Sequence, residues 1–83
     1  MNISESHFNS LPLNERIQLL YKEGVFLMAI RYYKYKVNLY LLSNFYVEVF
    51  YNHKLDRIEI VEVMQKKHTR MKFYADQVRL PQL

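Results

Sequence analysis

The run Phe45-Tyr46-Val47-Glu48-Val49-Phe50-Tyr51 constrains the fold of this chain more than any other segment. All but Glu48 are aromatic or β-branched, types that fit a pleated surface. Read as a strand, the run puts Phe45, Val47 and Val49 on one face and Tyr46, Glu48 and Phe50 on the other. Ser43-Asn44, just before it, is a two-residue break that fits a tight hairpin. The strand therefore has an antiparallel neighbour upstream, Lys36 to Leu42.

The segments on either side extend the meander. Val25 to Tyr33 is apolar and aromatic and reads as a first strand, although Met28 and Ala29 suit a helix as well. Gly24, the one glycine of the chain, argues against a continued helix. A turn within Tyr33 to Lys36 joins the first two strands. Beyond Tyr51, Asn52 to Asp56 reads as a polar loop and Arg57 to Val63 as a fourth strand. That strand breaks strict alternation, because Ile58 and Ile60 share one face while Val61 and Val63 share the other. Either a β-bulge near Ile60–Val61 turns Ile58, Ile60 (or Val61) and Val63 toward the core, or the strand is buried on both faces.

Helical periodicity brackets the strands. Pro12 to Glu23 carries Leu13, Ile17, Leu20 and Tyr21 at helical spacing, with proline in the tolerated first turn. Ser10 is placed to cap its start and Gly24 to end it in the left-handed conformation. A second helix is expected within Met64 to Arg79, where Met64, His68, Met71, Ala75 and Val78 fall on one side with Tyr74 beside them. Thr69 would cap a shorter version, and Leu80-Pro81 ends it. The expected fold is α+β, in the order α-β-β-β-β-α, with the helices at the two ends of an antiparallel four-stranded meander. Residues 1–83 form one domain, and residues 1–10 are expected to be a flexible arm.

Composition narrows the functional classes. The chain has no cysteine, which excludes disulfides, thiolate metal sites and a cysteine nucleophile. The residues from Met1 to Ser10 lack the basic start of a signal peptide, and no apolar run reaches membrane-spanning length. The expected location is the cytoplasm. A domain of 83 residues buries only about 60–65% of its unfolded surface, so it is marginal alone and gains from self-association. Eight tyrosines and five phenylalanines, most between Tyr21 and Tyr51, suit half-buried sheet faces and also supply recognition surface. Charge is uneven. Residues 1–63 balance seven cations against seven anions, whereas residues 64–83 hold Lys66, Lys67, Arg70, Lys72 and Arg79 against Asp76. The whole net charge of +4 therefore lies in the last 20 residues, which points to an anionic partner or to a solvated helix face.

Two resemblances attach to these segments. Lys36-Val37-Asn38-Leu39-Tyr40-Leu41-Leu42 with Phe45-Tyr46-Val47-Glu48-Val49, and the spacing of Met71, Tyr74, Val78, Leu80 and Leu83, resemble a family of small uncharacterised bacterial α+β proteins. The resemblance covers about residues 11–83 and implies a short helix, a strand meander and a C-terminal helix. It implies no activity. The family often has acidic residues where this chain has Lys66, Lys67 and Lys72, so the basic tail is a departure from it. Separately, Gln65-Lys66-Lys67 with Arg70 resembles the lysine-led second helix of the double-stranded-RNA-binding domain. Met71, Phe73 and Tyr74 replace that helix's small alanines, and its glycine-bearing loop and histidine between the early strands are missing.

No arrangement of residues points to catalysis. His7, His53 and His68 are not spaced as metal ligands, and one glycine cannot build a phosphate loop. Glu48, Glu59 and Glu62 would suit acid–base work if brought together. The plainer reading turns them to solvent, paired with Lys36, Arg31 or Arg57 across strands. No catalytic, cofactor or metal-binding residue is assigned. The expectation is a small non-enzymatic interaction module, self-associating as a homodimer or binding another protein, with nucleic-acid binding through the basic C-terminal helix as the alternative. Lys66, Lys67, Arg70, Lys72 and Arg79 are the candidate anion-binding residues. Tyr32, Tyr33, Tyr35, Tyr46 and Phe73 are the candidate aromatic contacts. The strand over Val25 to Tyr33 carries few charges to protect it if it forms a sheet edge.

Overall fold

The computed structural model describes residues 2–64 and Tyr74. It is an α+β fold with two helices, α1 (Glu5–Ser10) and α2 (Leu13–Glu23), followed by strands β1 (Val25–Tyr32), β2 (Tyr35–Leu42), β3 (Phe45–Asn52) and β4 (Arg57–Val63). The strands form one antiparallel sheet in the order β1-β2-β3-β4, so β1 and β4 are its edges. The helix expected within Met64 to Arg79 lies, apart from Met64 and Tyr74, outside the described residues.

Residues expected to be an arm instead hold α1. Ser4 caps it by accepting from the His7 N–H at 3.0 Å, and Phe8 is fully buried, its ring edge-on to Phe45 with centroids 6.1 Å apart. Met1, Ile3 and Phe8 show no helical spacing in the sequence, yet burial of Phe8, with Ile3 packed against the same cluster, helps to dock a single turn and a half. Ser10 does not cap α2. Its hydroxyl donates to the His7 carbonyl at 2.6 Å and closes α1, while Pro12 occupies the α2 cap with no side-chain bond. The packed face of α2 is Ile17, Leu19 and Leu20, whereas Leu13 and Tyr21 of the expected stripe stay exposed.

Gly24 ends α2 for a different reason from the expected one. Its backbone is extended, with φ −82° and ψ 158°. A Cβ at this position would sit 2.7 Å from the Leu20 carbonyl oxygen and 3.1 Å from its Cδ2. Close approach selects glycine here, not handedness. Positive φ occurs instead at Tyr33, Ser43 and Asp56. Tyr33 and Ser43 are the first residues of the two-residue loops joining β1 to β2 and β2 to β3, where a primed turn matches the twist of the strands.

The sheet buries both faces of β3. On one face Phe45, Val47 and Val49 meet Leu42, Val61, Phe8 and Leu20 beneath the N-terminal helices. On the other, Tyr46 and Phe50 pack with Met28, Ile30, Val37, Leu39, Met64 and Tyr74. A bulge in β4 resolves its broken alternation. Phe50 pairs with Ile60 and Tyr51 with Ile58, so Glu59 is the extra residue. Ile58 thereby joins Val61 and Val63 on the helix side, and Ile60 is left exposed. A second bulge, at Leu27, interrupts β1 near its start.

Candidate functional site

The sheet disperses the candidate aromatic residues. Tyr46 is only 5% exposed, so it is a core residue and offers no free contact face. Burial raises the pKa of its hydroxyl. Tyr35 stacks edge-on against Phe50, with centroids 5.4 Å apart. Its hydroxyl bonds to Glu59, so it serves the sheet. Tyr32 is partly buried and packs against the core cluster that holds Tyr46. Tyr33 at the hairpin tip is 85% exposed, its ring 4.7 Å from that of Tyr32. Phe73 and the basic residues Lys66, Lys67, Arg70, Lys72 and Arg79 lie outside the described residues.

A more concentrated aromatic surface forms where the expected list did not look. Gly24 sends the chain from α2 straight into β1, which brings both Tyr21 and Phe26 against Tyr40 in β2. The Phe26–Tyr40 centroids are 5.6 Å apart, edge-on, and the Tyr21–Tyr40 centroids 6.3 Å. Tyr21 is 62% exposed, Phe26 53% and neighbouring Val25 57%. The Tyr40 hydroxyl pKa is raised by burial and, secondarily, by Tyr21. Large apolar side chains this exposed and this contiguous are the mark of a contact surface. The signal in the sequence was the apolar pair Val25-Phe26 immediately after a glycine; Tyr21, which fits the α2 stripe by spacing, gave none.

The two sheet edges are treated differently. In β4, Arg57, Glu59 and Glu62 bring charge, the bulge at Glu59 breaks the ladder, and the Arg16 guanidinium donates to the outward carbonyl of Val61 at 2.7 Å. All three devices blunt an edge. β1 carries a single charge, Arg31, and regular pairing from Met28 to Tyr32.

Two polar groups are built into the sheet. Glu48, expected to face solvent, is fully buried beneath Tyr74, whose hydroxyl donates to Glu48 Oε2 at 3.0 Å. The alternation was right, but the face that Glu48 occupies is a second core. Near the β3–β4 turn, buried Asn52 accepts from the Lys54 and Leu55 N–H groups at 3.0 and 3.2 Å. Its amide donates to Glu59 Oε1 at 3.2 Å, and Arg57 stands 3.8 Å from Glu59 Oε2. The Asn52 bond first, then the Tyr35 hydroxyl, lower the Glu59 pKa. In the same turn the Tyr51 hydroxyl donates to Asp56, a bond that raises the tyrosine's pKa. A depressed carboxylate contributes stability at neutral pH that is lost as pH falls through its folded pKa. Asn52→Ala should therefore raise the Glu59 pKa toward the ordinary glutamate value. The stability gap between wild type and variant should narrow below about pH 4. Carboxyl NMR titration and denaturation at several pH values read both, and a gap independent of pH would refute the coupling.

Among the described residues, no three His, Asp or Glu side chains converge as metal ligands, and no helix is long and apolar enough to cross a membrane. An open groove of about 900 Å³ runs between Asn2–Ser6 and Ser43–Asn44, with Glu5 its one charged lining residue. Comparison with protein-family models, with curated proteins and with solved structures gave no match.

Proposed function

We propose that this protein is a small cytoplasmic, non-enzymatic interaction module that associates with a second copy of itself through the surface around Tyr21, Phe26 and Tyr40. The observation that carries the reading is the exposure of that aromatic cluster beside the weakly protected edge strand β1. A domain of this size gains stability from burying such a surface against a copy. Sedimentation equilibrium is expected to give a dimer at micromolar to high-micromolar protein, with little dependence on salt. Phe26→Glu, at an exposed position, should weaken the dimer by roughly tenfold or more, because a charge then enters the apolar centre of the contact. A monomer up to about 1 mM, or a dimer indifferent to Phe26→Glu, would count against this surface.

Charge segregation favours a second reading, nucleic-acid binding through Lys66, Lys67, Arg70, Lys72 and Arg79. The net charge of +4 is confined to residues 64–83. Counterion release makes phosphate binding steeply salt-dependent. On this reading, oligonucleotide anisotropy shows binding at about 50 mM salt that falls sharply by about 200 mM and is lost in Lys66→Glu/Arg70→Glu. Absence of binding at the lower salt removes the reading.

A further inference from the structure

We infer that the second copy pairs along β1, antiparallel and about a two-fold axis near Ile30, so that two four-stranded sheets join into one of eight strands. This rests on the self-association proposed above and specifies its geometry. The hydrogen-bonding phase of β1 follows from its hairpin. Residues flanking a two-residue loop exchange both backbone bonds, and bonded pairs then alternate. Tyr32↔Tyr35, Ile30↔Val37 and Met28↔Leu39 are thus the bonded pairs with β2. Ala29 and Arg31 point their N–H and C=O groups out of the sheet. Among the described residues nothing bonds to them, whereas on the opposite edge Arg16 takes the outward carbonyl of Val61.

The side chains at the two ends of β1 choose the occupant. The Tyr21–Phe26 cluster stands at one end and Tyr33 at the other. Antiparallel pairing about Ile30 brings Tyr33 of each copy to the Phe26–Leu27 end of its partner, twice by symmetry, which is what an isologous contact requires. Ala29 then faces the partner's Arg31, and four backbone bonds form without setting Arg31 directly against its own copy. Tyr21, Phe26 and Tyr33 together offer on the order of 400 Å², at about 150–250 Å² per full ring. That is half of the roughly 800 Å² per partner in a stable interface, before Val25, Arg31 and the strand backbone are counted.

Backbone amide exchange of the full chain, read residue by residue at about 10 μM and about 1 mM with sedimentation run in parallel, tests the pairing. The expected result is a dimer in which exchange at Ala29 and Arg31 slows roughly tenfold or more at the higher concentration. Ile30, whose N–H already donates to β2, should change little. Arg31→Pro, which removes an outward donor at an edge position where proline is tolerated, should give a folded monomer, whereas Arg31→Ala, which keeps the donor, should still dimerise. A dimer without protection at Ala29 and Arg31, or one that survives Arg31→Pro, overturns the pairing and leaves self-association standing. A monomer at every concentration overturns both. Protection of Ala29 and Arg31 in the monomer overturns the pairing by showing that another part of the same chain occupies the edge.

Discussion

Tyr74→Ala is expected to destabilise the domain by about 3–5 kcal/mol, the range for emptying a buried aromatic site. Tyr74 heads the fully buried side chains by volume, and it packs on the sheet face opposite the N-terminal helices. That face has Met28, Ile30, Val37, Leu39, Tyr46 and Phe50 in one buried cluster with it, so removing the ring opens a cavity in that cluster. The hydroxyl adds a separate part. Tyr74→Phe keeps the ring and deletes the donor to Glu48 Oε2, for an expected cost of about 1–3 kcal/mol. Glu48→Gln should cost less than Glu48→Ala, because an amide oxygen still accepts from the hydroxyl. Combining Tyr74→Phe with Glu48→Gln gives the coupling through a double-mutant cycle. Urea denaturation measures all of these, and the stability of a small domain is only about 5–15 kcal/mol in total. A loss below about 1 kcal/mol for Tyr74→Ala would contradict its place in the core.

The same residue marks where sequence and structure diverge. Every strand was legible to within a residue or two, because aromatic and β-branched runs bounded by polar breaks have few alternatives as elements. The hairpin at Ser43-Asn44 and the departure from alternation in β4 were legible too. The precise bulged residue was not: expected near Ile60–Val61, it is Glu59. Asn52 and Tyr35 both bond to the Glu59 side chain there, partners that alternation does not reveal. Gly24 was found but misread, because positive φ and close approach leave the same letter in a sequence. Glu48 was placed on the right face and given the wrong environment. Alternation says which residues share a face, and says nothing about whether a second layer covers it. The exposed aromatic patch was half legible: aromatic excess was evident, but which rings stay exposed depends on how α2 rotates over the sheet. That rotation buries Leu20, packs Leu19 partly against the core and leaves Tyr21 outside. Among the described members of the expected aromatic contacts, Tyr46 went to the core, and Tyr33 is the one left mostly open to solvent.

Arg16 illustrates what no pattern reveals, and its replacement should have the second large effect. Its side chain donates to three backbone carbonyls: Leu11 at 2.8 Å from Nε, Val61 at 2.7 Å from Nη1 and Asn9 at 2.6 Å from Nη2. The guanidinium also stands 5.8 Å from the Phe8 ring centroid. One planar group thus joins the end of α1, the start of α2 and the outer side of β4, and covers Phe8 where that ring enters the core. Charged donors to carbonyls contribute about 1.5–3 kcal/mol each, but the Asn9 bond is exposed and water can replace part of the others. Arg16→Ala is therefore expected to cost about 2–4 kcal/mol, well below the sum of three bonds. Arg16→Lys should recover less than half of that, because an ammonium on a flexible stem cannot serve three carbonyls spread around one plane. Amide exchange adds a local readout: His7 and Phe8 in α1 should lose protection before the amides of β2 and β3. Full rescue by lysine would reduce Arg16 to a simple charge. Unchanged protection of α1 in Arg16→Ala would mean that the burial of Phe8 holds this helix to the sheet without the clasp.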